Sequence, residues 1–208
     1  LGKEYCLDAY WSFWSTVEKT CGYGIGYSID HGIKFDGDCP DADKVSYIIY
    51  CLGQMEYASE GVERDYSKAF QWYQQAANAE HIHSNYCIAK MFYGGEGIPQ
   101  DYSQAKVFYK IAANGKDKYA YHALGKMYDT GTGVEQNNSK AANWFTLASK
   151  EDVPYADYRL AQLYESGQGV EKDKELSNIL YKKALDEFVE QENSSQTQLT
   201  NSGFPICI

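Results

Sequence analysis

Leu124-Gly125-Lys126-Met127-Tyr128-Asp129-Thr130-Gly131-Thr132-Gly133-Val134, followed by Lys140-Ala141-Ala142-Asn143-Trp144-Phe145, is the stretch that decides the fold. Its features return at a fixed distance. Gly61, Gly97, Gly133 and Gly169 lie 36 residues apart, as do Asp65, Asp101, Asn137 and Asp173. Ala76, Ala112, Ala148 and Ala184 keep the same spacing. A period in this range, held at many positions together, is the mark of a solenoid of stacked helical pairs. Such folds offer long surfaces to other proteins, so the expectation moves from catalysis to protein interaction.

One period reads as a helical hairpin. A first helix runs from about Lys44 to Ala58, with Ile48, Leu52 and Met55 at i, i+4 and i+7 forming one apolar stripe. Beside the stripe sits a small residue, Gly53, Ala89, Gly125 or Ala161 in successive copies, which lets a neighbouring helix come close. A turn follows. Its glycine suits a backbone with positive φ, and Val62, Ile98, Val134 or Val170 plugs it into the core. Asp65 and its equivalents are placed to cap the second helix by accepting from first-turn amides. That helix carries Ala69, Trp72, Tyr73, Ala76 and Ala77 on its packing face. One hairpin cannot bury this face alone, whereas a stack can.

The quoted segments resemble the Sel-1-like repeat (SLR) family, relatives of tetratricopeptide repeats, whose pattern is LG-x-MY-x-x-G-x-GV, then D, then KA-x-x-WY-x-x-AA. Four copies match, at 44–79, 80–115, 116–151 and 152–187. The first departs at Glu56 and Ser59, and the fourth at Ser177 and Leu180, as end copies do. The resemblance implies an all-α, right-handed α-solenoid of helix-turn-helix repeats. Outside it, residues 1–43 read as an N-terminal capping helix (Tyr5 to Thr20) and a Gly-rich, then acidic connector. At the other end, Asp186 to Gln191 extends the last helix, and residues 188–208 form a polar C-terminal tail, irregular over Asn193 to Gly203. The apolar Phe204 to Ile208 at its end could dock back onto the body.

The chain has 208 residues, a net charge of −10 and 44% hydrophobic residues, enough for a sizeable core. The charge is spread, and no cluster of Lys and Arg is present to neutralise a phosphate backbone, so nucleic acid is not an expected partner. No run of 18 apolar residues exists, so no transmembrane segment is expected. Leu1 stands where Met would begin a chain, and the six cysteines are even in number. Leu1 fits either removal of an export signal or a trimmed terminus, and with the cysteines the expectation leans to a periplasmic or secreted bacterial protein. Cys6, Cys21, Cys39 and Cys207 are the expected disulfide formers. Cys51 and Cys87 occupy equivalent positions on stacked helices, too far apart to bridge.

Three sharper motifs fall short of the chemistry they suggest. Gly22, Gly24 and Gly26 lack the strand before and helix after that a dinucleotide loop needs. Asp36, Asp38, Asp41 and Asp43 miss the ligand register of a calcium loop, with Pro40 and Asp41 at its positions 5 and 6. His83 and Cys87 lie i, i+4, with Cys51 one repeat earlier, but no fourth ligand completes a zinc site. No nucleophile has a His or carboxylate escort. The expectation is no catalytic residue, no metal and no cofactor.

The first helices carry a recurring strip instead. One position reads Tyr47, His83, Tyr119, Tyr155; a second reads Tyr50, Tyr86, His122, Tyr158; a third reads Gln54, Lys90, Lys126, Gln162. Tyrosine buries much area at interfaces with few rotatable bonds. The resemblance implies that first helices line a concave groove. The expected partner-binding residues are therefore Tyr47, Tyr50, Gln54, Tyr86, Lys90, Tyr119, His122, Lys126, Tyr155 and Tyr158. Packing between repeats is the plainer role for some of these tyrosines. The expected function is non-catalytic protein binding. Exported members of the family include immunity proteins that neutralise antibacterial effectors such as lipases, so a toxin or lipase is the partner the resemblance implies. Its alternatives are a host-interaction factor, an envelope assembly scaffold, and a β-lactam-binding hydrolase-like protein. The last carries a cysteine pair in every repeat, which the third and fourth copies here lack.

Overall fold

The computed structural model describes residues 42–58 and 64–201. The capping helix, the Gly-rich and acidic connectors, Gly61, Val62 and the cysteines at 6, 21, 39 and 207 lie outside the described residues, as does the apolar Phe204 to Ile208.

The described residues form helices and no strand. They fall into two compact units, divided between Gly115 and Lys116. The first holds α1 (Ala42–Ala58), α2 (Tyr66–Asn78), α3 (Ile82–Gly94) and α4 (Tyr102–Asn114). The second holds α5 (Lys118–Thr130), α6 (Asn138–Ser149), α7 (Pro154–Ser166) and α8 (Lys174–Asn201). In each unit the helices pair as hairpins, α1 with α2, α3 with α4, α5 with α6 and α7 with α8. Each hairpin then stacks on the next through α2 against α3, or α6 against α7. This is the all-α solenoid of helix-turn-helix repeats that the period predicts.

The capping residues act as their spacing requires. Asp65 accepts from the Lys68 amide, Asp101 from Ser103 and Gln104, Asn137 from Lys140, and Asp173 from Leu176, at 2.8–3.0 Å. The first helices α3, α5 and α7 end on a left-handed glycine whose N–H returns to the carbonyl of Met91, Met127 or Leu163. The second turn glycine, also left-handed, has a further task. Gly169 (φ 75°) lies on the start of α6, where an added Cβ would stand 2.6 Å from Asn138 Cβ. Ser139 Oγ donates to the Gly169 carbonyl at 2.7 Å. Gly97 docks on the start of α2 in the same way. Each such turn thus locks one repeat to the one before it.

Aromatic rings of the second helices fill the core. Tyr73 and Phe145 are fully buried, and Tyr109 nearly so. A Cβ on Gly53 would meet the Tyr73 ring at 2.6 Å, and one on Gly125 the Phe145 ring at the same distance. The close approach made by these small residues is therefore to the second helix of their own hairpin. Asp157 is buried in the second unit, taking a hydrogen bond from Ser149 and facing Lys183 Nζ at 3.4 Å. Lys183 also meets Asp152 at 3.1 Å, Glu187 at 3.3 Å and the Ser149 carbonyl at 2.6 Å, so it closes the end of α6.

One expectation is corrected. Asn193 to Asn201 is not irregular: α8 continues unbroken to Asn201. The reason lies at one register position. Glu80, Lys116 and Asp152, 36 residues apart, take positive φ and end the earlier second helices. Phe188 holds that position in the last copy, and a bulky ring disfavours the left-handed region. It stays helical and packs edge-on against Tyr155 at 4.9 Å. No Gly or Pro follows until Gly203.

Candidate functional site

The strip is described within each unit. In the first, Tyr47, Tyr50 and Gln54 come from α1 and His83, Tyr86 and Lys90 from α3. The rings touch in succession. Tyr50 lies 6.0 Å from Tyr47 and 5.5 Å from His83, and His83 stacks on Tyr86 at 5.1 Å. Tyr86 continues inward to Tyr109 at 5.8 Å. Gln54 Nε2 donates to the Tyr50 hydroxyl at 2.7 Å and to Cys87 Sγ at 3.7 Å. Lys90 Nζ sits 4.9 Å from the centroid of the Tyr57 ring. Burial, and next the Cys87 thiol, push the Tyr50 phenol well above its ordinary range, so it stays neutral. Cys51 and Cys87 are free thiols, as their stacked positions imply.

In the second unit, Tyr119, His122 and Lys126 come from α5 and Tyr155, Tyr158 and Gln162 from α7. His122 is half-buried between Phe145 at 5.9 Å and Tyr155 at 6.3 Å. Burial, then the Lys126 charge, hold its pKa below the usual histidine value, so the ring is neutral at pH 7. Arg159 bridges Asp129 and Gln162 at the edge of the strip.

The strip residues divide into two kinds. Tyr47, Tyr119, Tyr155 and Tyr158 are 57%, 48%, 62% and 44% exposed, and Lys90 and Lys126 are exposed beside them. Tyr50, Gln54, Tyr86 and His122 are half-buried and hold the exposed ones in place. Sequence reasoning missed His81, which enters from the α2–α3 turn and lies 4.5 Å from Tyr50. Its equivalents are Asp117 and Val153, so no periodic signal marks it.

Hairpins of this geometry, stacked through their second helices, define a helical-repeat protein. The Sel1 repeat model matches residues 49–81, 83–117, 118–153 and 154–187, and the chain belongs to the Sel1 repeat family. Sel1 repeats mediate protein–protein interaction, and the fold is typically a non-catalytic scaffold. The chain is similar to a Sel1 repeat protein from Oxalobacter formigenes, with 27% identity and a TM-score of 0.66 over 71% of this chain and 60% of that one. It is also similar to a protective antigen present in uropathogenic Escherichia coli strains that displays an SLR fold. There the identity is 25% and the TM-score 0.65, over 70% of this chain and 31% of that one. Both relatives therefore extend well beyond the part they share with this chain. No curated protein matches it. Among the described residues, no helix is long and apolar enough to cross a membrane.

Proposed function

We propose that the chain is a non-catalytic binding protein that holds a protein partner on the tyrosine strip of its first helices. One observation carries this reading. Aromatic rings of the second helices, Tyr73, Tyr109 and Phe145, already fill the core, yet Tyr47, Tyr119 and Tyr155 recur at one register of the repeat and stay about half exposed or more, with the similarly exposed Tyr158 beside them; Tyr155 and Tyr158 each rest one side on α8, against Phe188 and Tyr181. Packing does not account for the area these four leave exposed, whereas an interface does. The finer reading is that of an immunity protein, exported to the periplasm or beyond, that neutralises an antibacterial toxin or lipase. It rests on the resemblance and on a surface suited to stoichiometric capture.

The test is a triple substitution of Tyr119, Tyr155 and Tyr158 to Ala, with capture from the native source followed by affinity measurement on the purified partner. Binding should weaken at least about tenfold, or about 1.4 kcal/mol, with helical circular dichroism kept. Unchanged binding would move the interface off the strip. An effector as captured partner supports the immunity reading, and any other class of protein removes it.

A further inference from the structure

The chain carries a net charge of −10, yet the three strip positions hold only Tyr, His, Lys and Gln across all four copies. In the first unit, α3 contains no Asp or Glu at all, and its strip ends on the exposed Lys90. In the second, Lys126 occupies the same register on α5.

Glu56, Asp129, Asp157 and Glu165 of these helices are engaged elsewhere. Asp129 pairs with Arg159, and Asp157 is buried against Ser149 and Lys183. Glu165 accepts from the Tyr181 hydroxyl at 2.9 Å. Glu56 is half-buried, with Lys68 as its nearby cation. The strip positions are thus basic and aromatic on an acidic protein; the acid near Lys90 is Glu96, which accepts at 2.7 Å from the hydroxyl of Tyr57, the ring on which Lys90 rests. Exposed tyrosine hydroxyls donate to carboxylates and carbonyls, and ammonium groups only donate. On α5 the exposed Tyr119 and Lys126 lie seven residues apart, about two helical turns or roughly 10 Å along one face. A short acidic segment can therefore engage both.

Resting on the strip as the binding surface, we propose that the partner enters it with an exposed segment rich in Asp and Glu. Its carboxylates meet Lys90 or Lys126, and its backbone carbonyls and apolar side chains meet the tyrosines. Complementary charge speeds encounter and excludes basic competitors. It also gives the site a selectivity that tyrosines alone lack.

The experiment pans a display library of short random peptides on the full chain. Selected peptides are then measured by fluorescence anisotropy against the wild type, Lys90→Glu/Lys126→Glu and the triple tyrosine variant. Both lysines are exposed, so charge reversal leaves the core untouched. The selected peptides should be enriched in Asp and Glu over the starting library. Their affinity should fall at least about tenfold in the charge-reversed protein and be kept by Lys90→Arg/Lys126→Arg. It should also fall as salt rises from about 50 to about 300 mM. Peptides lost on tyrosine substitution but indifferent to lysine reversal, or without acidic enrichment, would overturn the charge assignment and leave the strip standing. Peptides indifferent to the tyrosine variant would overturn the strip reading and this inference with it. Failure to select any peptide counts against both.

Discussion

Replacing Gly169 by Ala separates two reasons why a glycine recurs in the turn. Gly167, two residues earlier, is also left-handed (φ 74°), but a Cβ there would stand 3.3 Å from Lys172 Cβ, a contact that a small shift relieves. Gly167→Ala should therefore lose only the backbone term, about 1–2 kcal/mol. Gly169→Ala carries the same strain at φ 75°, and its new methyl also collides with the peptide joining Asn138 to Ser139 at the start of α6. That backbone is fixed by the Asn137 cap, so the turn must lift. Lifting it breaks the 2.7 Å bond from Ser139 Oγ to the Gly169 carbonyl, worth about 1 kcal/mol, and the overpacking adds about 1–3 kcal/mol. The expected loss is about 3–6 kcal/mol. At about 2–4 °C per kcal/mol for a chain of this size, Gly167→Ala should melt about 3 °C lower and Gly169→Ala about 10 °C lower. Thermal and urea melts followed by far-UV circular dichroism read this directly. Equal losses in the two variants would refute the docking role of the second turn glycine.

Other perturbations test the buried charges. Lys183→Met leaves the Asp157 carboxylate buried without its cation and should cost about 2 kcal/mol in urea unfolding, below the usual loss for a buried pair because Lys183 is one-third exposed. Asp157→Asn/Lys183→Met should recover part of that loss, and no recovery would mean that the pair is not the cause. Hydrogen bonding to Asp152 and the charges of Asp157 and Glu187 outweigh the opposing desolvation and raise the Lys183 pKa. Its share of stability is therefore full below about pH 10.5 and declines as pH rises through the folded value. The depressed pKa of His122 works the other way. The unfolded chain takes up a proton below about pH 6.5 that the folded ring resists, so acidification towards about pH 5 should destabilise the wild type more than His122→Gln. Identical pH slopes in urea midpoints would contradict this. Glu187, raised by burial, drifts oppositely in both proteins and cancels in that comparison.

Much of the fold was legible because each repeat constrains it several times over. Asp65, Asp101, Asn137 and Asp173 announce four helix starts, and alanines at the repeat period announce the packing face. Other features need neighbours that periodicity does not supply. The turn glycine advertises its positive φ, but its seat on the preceding repeat is a tertiary fact. Asp157 stands where other copies have Ile49, Asn85 and Tyr121, so nothing in the spacing marks a buried acid with a lysine one helix away. The run of α8 to Asn201 was written in Phe188, but only against the left-handed residues at 80, 116 and 152, which are not glycines and give no outward sign. Helical register located the strip rings, yet exposure depends on what packs on them. Tyr50 is half-buried beside His81, and His122 is half-buried beside Phe145.

The central claim is that a partner sits on the first-helix strip, and site-specific photo-crosslinking tests it most directly. A photoreactive phenylalanine analogue is placed at Tyr119 or Tyr155 on the strip, and in a third protein at Val107, an exposed apolar residue of the second helix α4. Each variant is irradiated in lysate from the native organism, and adducts are identified by mass spectrometry. The account predicts the same protein adduct from positions 119 and 155 and none from position 107. An adduct from position 107 with nothing at 119 and 155 would place the partner on the second helices and contradict it.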